Sequence, residues 1–139
     1  MVILIDTNIL LDFLQNRETN GEYANKIIEM CAKKTISGFM AAHSISNAFY
    51  ILRKDYSAKE RKEMLLGLCY IIDIVDIDKQ KIITSLLNED FADIEDSLQI
   101  ECAKRVNANY IITRDLLDFS SSSIEAISPI DFIKKEGGK

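Results

Sequence analysis

The chain has 139 residues, 47% of them hydrophobic and 28% charged, with one proline and five glycines. That is the size and composition of one folded domain, residues 1–139, and it excludes disordered and collagenous classes. No apolar stretch approaches the roughly 20 residues of a membrane span, Asp6 cuts the opening run Met1–Ile5 short of a signal-peptide core, and the net charge of −5 argues in bulk against a nucleic-acid partner; a cytoplasmic protein is expected.

Val2 to Ile5 is a short unalternated run of branched residues, which suits a strand buried on both faces. Asp6-Thr7-Asn8 supplies N-cap chemistry for a helix carrying Ile9, Leu10, Phe13 and Leu14. Glu22 to Ala32 reads as a second helix and Ile36 to Ala41 as the next strand. Ile45, Ala48, Phe49 and Leu52 recur at helical spacing over Ser44 to Lys54. Ser57 and Glu60 form a capping-box pattern for the following helix, and Tyr70 to Val75 reads as strand. Asp78 caps a helix through Leu87, and Asp93 caps another through about Val106. Tyr110 to Thr113 and Ile124 to Ile127 are the last strands, Pro129 opens a helix to Lys135, and Glu136 to Lys139 is expected to fray. Short strands alternating with helices imply an α/β fold with a mostly parallel sheet of about five strands, flanked by helices.

Cys31, Cys69 and Cys102 are far apart and odd in number, which supports neither a disulfide framework nor a zinc knuckle and favours small buried hydrophobes. A single histidine, His43, removes mechanisms that need two, and is expected as a pocket-wall or half-buried residue. The glycines form no phosphate-cradling loop. What remains chemically is carboxylate.

The net charge also hides a segregation. Lys33 to Lys62 holds seven basic and two acidic residues, a local +5 that leaves −10 for the remainder, while Ile82 to Ala103 has no basic residue and crowds Asp90, Asp93, Glu95 and Asp96. Ligands of open parallel sheets bind beyond the carboxyl ends of the strands, and parallel topology brings Asp6, Asp96 and Asp115 toward that rim. Taken singly, Asp6 and Asp96 could serve only as a helix cap and a first-turn acid. Together, converging acids repel one another unless a cation lies between them, and oxygen-only donors select Mg²⁺ or Mn²⁺. Phosphodiester hydrolysis, with the ion activating water, is the chemistry that fits.

Leu4 to Asp12, Asp93 to Gln99 and Tyr110 to Phe119 resemble, in order and spacing, the signatures of PIN domains, the metal-dependent ribonucleases that include VapC-type toxins. The resemblance runs from Met1 to about Phe132. It implies a PIN-like fold and an endoribonuclease acting as the toxin of a toxin-antitoxin pair. Asp6, Asp96 and Asp115 would be the catalytic and metal-binding acids, Asn8 and Thr113 polar supports, and Asp118 a further acid nearby. The implied partners are RNA and a cognate antitoxin, and a homodimer is left open. One position departs: Asn47 stands where the family usually has glutamate, and its amide can hydrogen-bond but carries no charge and cannot act as a base. That departure keeps an alternative, a catalytically weak PIN-like module that holds RNA or a protein without cutting. A phosphoacceptor receiver domain needs a paired acid after the first strand and Lys-Pro after the last, where this chain has Asp6-Thr7 and Ser128-Pro129. A haloacid-type phosphatase needs Asp-x-Asp, and Asp6-Thr7-Asn8 lacks the second acid. RNA is expected on the basic segment, above all Arg53, Lys54, Lys59, Arg61 and Lys62, because carboxylates alone repel a phosphodiester; Tyr50 and Tyr56 are candidates for stacking on unpaired bases.

Overall fold

In the computed structural model, which describes residues 1–136, the branched run Val2–Ile5 forms the central strand, β1, of a five-stranded sheet. Around it lie β2 (Ser37–Ala41), β3 (Asp73–Val75), β4 (Tyr110–Ile112) and β5 (Ala126–Ile127), in the order β3-β2-β1-β4-β5. Every pairing is parallel, as the alternation of strands and helices implied. The order also separates the chain from receiver domains, whose doubly wound sheet runs 2-1-3-4-5.

Residues of β1 alternate between two cores, which is why the run is apolar throughout. Ile3 and Ile5 pack with Ile9, Leu10, Ile27, Ile28 and Phe132 on one face, from α1 (Thr7–Leu14), α2 (Asn20–Ala32) and α7 (Pro129–Glu136). Leu4 packs on the other face with Ile100, Cys102 and Ala103 of α6 (Ile94–Arg105); α5 (Lys79–Leu87) lies against α6. A third cluster, Leu11, Ala48, Leu52 and Leu65, joins α1 to α3 (Ala42–Ile51) and α4 (Ala58–Cys69). Gly38 sits where α2 comes closest to the sheet: a Cβ there would meet the Cys31 Sγ at 2.5 Å. The cysteines are free, and burial pushes the Cys31 and Cys102 thiols up to about 12, so these two are inert packing groups. Among the described residues no helix is long and apolar enough to cross a membrane.

Element boundaries differ from the sequence reading where backbone groups are already committed. Residues 70–72 are not strand, because the amides of Ile71 and Ile72 both donate to the Leu68 carbonyl and close the end of α4. The helix carrying Asn47 begins at Ala42 and gives way to a 3-10 turn at Leu52–Lys54, so Arg53 and Lys54 lie beyond the α-helix. The second helix starts at Asn20, two residues early. Ile124 donates to the Ser122 hydroxyl instead of joining β5. Glu136 is the last residue of α7, and the fraying expected of 137–139 lies outside the described residues. Ser57 and Glu60 form the expected capping box, with bonds of 3.1 and 2.9 Å.

Candidate active site

Register fixes the rim. Ile5 lies opposite Ile112, and Ile112 opposite Ile127, so Asp6 and Thr113 leave adjacent strands side by side. The Asp6 amide donates to the Ile112 carbonyl at 3.0 Å, and the Thr113 amide to the Ile127 carbonyl at 3.1 Å. Asp6, 8% exposed, is the N-cap of α1, with Oδ1 accepting from the Thr7 amide at 2.8 Å. Capping thus spends part of one oxygen and leaves the carboxylate facing a cleft of about 410 Å³. Thr113 Oγ1 donates to Asp6 Oδ2 at 2.8 Å and accepts from the Asp115 amide at 3.0 Å. Asn8 Nδ2 donates to Asp115 Oδ2 at 2.9 Å and to Asp6 Oδ2 at 3.3 Å. Asp96 reaches the same cleft from the first turn of α6, Asp118 from a 3-10 turn at Leu116–Phe119, and Asn47 from α3.

Three partners were not legible as such in the sequence. Gln99, 2% exposed, donates through Nε2 to Ser44 Oγ at 3.0 Å and Asp6 Oδ1 at 3.3 Å. Its position three residues after Asp96, on the same helical face, was the available signal. Ser44 also accepts from Thr7 Oγ1 at 2.8 Å, although the sequence marked it only as a helix start. Asp12, fully buried, takes a bidentate pair from Arg114 at 2.8 and 3.2 Å and a third bond from Arg17 at 3.0 Å. That clamp holds the residue between Thr113 and Asp115 against α1.

Of the basic candidates, Arg53 packs on a residue of the cleft wall: its guanidinium stacks 3.7 Å from the centre of the Tyr50 ring, and Tyr50, 62% exposed, lines the cleft. Arg61 is turned inward, donating to the Phe49 carbonyl at 2.9 Å and stacking on the Phe49 ring. Lys54, Lys59 and Lys62 are exposed and are not among the residues lining the cleft. Tyr56 packs against the third core cluster, which commits a ring that the sequence offered for stacking. His43 is half-buried. Burial lowers its pKa, with Glu95 and Asp93 pulling the other way.

Electrostatically the cleft is a concentration of acid. Burial first, then Asp93, Asp118, Asp6 and Asp115, push Asp96 up to about 7. Asp6 is also raised, by burial first, against hydrogen bonds from Thr113 and Thr7 that lower it. Among the described residues no three acid, histidine or cysteine side chains close into a ready-made cage for a cation. A hard ion that keeps most of its water needs only one or two carboxylates, and a single nitrogen, Asn8 Nδ2, already reaches both Asp6 and Asp115. An oxygen-only donor set in a cleft with room for hydration therefore fits Mg²⁺ or Mn²⁺.

The parallel 3-2-1-4-5 sheet with acids gathered at its carboxyl rim defines an α/β protein of the kind that places a ligand beyond the strand ends. The chain belongs to the PIN domain family, whose sequence profile matches residues 2–117. It is similar to Ribonuclease VapC1 of Aquifex aeolicus, 23% identical over 140 residues and spanning 96% of this chain and 94% of that protein. Among solved structures it is similar to a toxin-antitoxin complex from Klebsiella pneumoniae, with a TM-score of 0.68, 22% identity, and 91% and 97% of the two chains covered. It also resembles Mycobacterium tuberculosis VapC20, described as a toxin cleaving the sarcin-ricin loop, with a TM-score of 0.67, 11% identity, and 88% and 95% covered.

Proposed function

We propose that the chain, acting as one domain over residues 1–139, is a cytoplasmic endoribonuclease that uses Mg²⁺ or Mn²⁺ to hydrolyse RNA phosphodiester bonds. The observation that carries this reading is that Asp6, Asp96, Asp115 and Asp118 line one cleft at the strand ends. Similarity to a ribonuclease and to a toxin-antitoxin complex supports placing the chain as the toxin of such a pair, inhibited by a cognate antitoxin protein.

Asp6, Asp96 and Asp115 would hold the ion, which when bound supplies charge stabilisation to the phosphoryl oxygens and an acidified water. The chain's own part is positional. Thr113 and the Thr7 amide fix the Asp6 carboxylate, and Thr113 also fixes the Asp115 backbone. Asn47 in the cleft wall can orient a water by hydrogen bonding, and Asp118 adds negative charge nearby. Arg53 beside Tyr50 would receive the RNA at the mouth, with Lys54, Lys59 and Lys62 extending the path along the backbone and Arg61 bracing the helix end that carries Tyr50.

The test is cleavage of a mixed RNA pool by the full chain with Mg²⁺ or Mn²⁺. Cleavage that stops with EDTA and returns with added metal supports the reading. RNA binding without metal-dependent cleavage favours instead the non-cutting module that the uncharged Asn47 would permit.

A further inference from the structure

The hydrogen bonds on Asp6 use every acceptor direction its carboxylate has. Oδ1 accepts from the Thr7 amide at 2.8 Å and from Gln99 Nε2 at 3.3 Å; Oδ2 accepts from Thr113 Oγ1 at 2.8 Å and from Asn8 Nδ2 at 3.3 Å. A carboxylate offers about four lone-pair sites in all. Any cation that binds Asp6 therefore displaces a donor already present.

The four donors are not equally placed to leave. The Thr7 amide is the helix cap, and Thr113 is buried with a short bond. Gln99 is anchored by its shorter bond to Ser44. Asn8 has a long bond to Asp6, and its other bond goes to Asp115, the second carboxylate a cation would take. Its carbonyl oxygen Oδ1 is buried without a hydrogen-bond partner. Rotating the side chain withdraws the NH₂ group from both acids and clears both for a hard ion. The amide as it stands contributes partial positive charge between two acids, the same electrostatic service a cation performs at full strength.

Resting on the divalent-ion reading above, we propose that the Asn8 amide competes with the divalent ion for Asp6 and Asp115, so that binding the ion releases the NH₂ group from both carboxylates. Asn8 is then a positioning residue whose donor opposes ion binding, in contrast to a support that merely orients the acids for it. The two roles give opposite signs. If Asn8 competes, Asn8→Ala binds Mg²⁺ more tightly by roughly tenfold or more, the scale of one charge-assisted hydrogen bond no longer displaced. If Asn8 supports, the same variant binds Mg²⁺ more weakly.

The experiment is Mg²⁺ titration calorimetry on the full wild-type chain, Asn8→Ala and Asn8→Ser, with melting curves in EDTA to establish that each variant folds. Side-chain amide resonances of Asn8 in the wild type give a readout independent of the variants: saturating Mg²⁺ should speed exchange of its NH₂ protons with water. Tighter Mg²⁺ binding by the folded variants together with faster Asn8 exchange, or faster exchange alone if neither variant folds, supports the proposal. Wild-type Mg²⁺ binding with unchanged or weaker affinity in the variants, or with Asn8 exchange unchanged, overturns it while leaving the ion site standing. A wild-type chain that takes no Mg²⁺ overturns both.

Discussion

Asp96 carries its own pH signature. With its pKa pushed up to about 7, it binds more protons in the folded chain than in the unfolded one between the ordinary aspartate value and about 7. Its stabilising protonated form is fully present below that window and lost as pH rises through it. His43, lowered by burial, acts in the opposite sense: the stability gained from its neutral ring is present above 6.5 and lost as pH falls through its folded value. Melting curves without divalent ions should therefore show wild type losing stability relative to Asp96→Asn as pH rises from 4 to 8, and Mg²⁺ should reverse the loss. A pH-independent difference between the two chains would mean that neither burial nor the neighbouring acids raise Asp96. Asn47→Glu adds a formal charge to the same cleft and should tighten Mg²⁺ binding by roughly tenfold, read by calorimetry; unchanged affinity would mean that position 47 does not act on the ion. The acids themselves were legible because each follows a strand or opens a helix. Gln99, Ser44 and Asp12 were not, since their partners lie 93, 55 and 102 residues away and only the closed sheet brings them together.

Between elements, Asp12 is the staple that joins α1, the turn after it and the segment that follows β4. Its side chain is 1% exposed while Arg17 and Arg114 keep more than a third of theirs in water. Removing the acid deletes three charge-assisted hydrogen bonds while the partly exposed guanidinium groups can turn to water, so Asp12→Ala should cost about 2 kcal/mol. Chemical denaturation would measure it, and a loss below about 1 kcal/mol would reduce the clamp to a surface pair. The elements themselves were largely readable from periodicity and caps, as at Ser57 and Asp93. The failures came where an apolar run served a helix end, as at Tyr70 to Ile72, because periodicity cannot say which amide is already bonded. Capping and lining the cleft are likewise not alternatives for Asp6: the same carboxylate caps α1 and lines the cleft.

Across the whole molecule, a net charge of −5 coexists with a basic segment next to an acidic cleft, a division that bulk composition conceals. RNA held by that segment should lose affinity linearly on a log-log plot against salt, with a slope near −0.7 per phosphate neutralised. Replacing Arg53, Lys54, Lys59 and Lys62 with Ala should flatten the slope and leave Mg²⁺ affinity unchanged; Arg61 is left in place because it braces Phe49. A wild-type slope in the quadruple variant would move the RNA path elsewhere. The central claim is that the carboxylates gathered at the sheet's edge cut RNA. The most direct measurement compares RNA cleavage in Mg²⁺ by the wild-type chain with Asp6→Asn, Asp96→Asn and Asp115→Asn, each checked for folding by its melting curve. The expected result is metal-dependent cleavage by wild type and a loss of roughly 100-fold or more in each folded variant; full activity in all three would contradict the account.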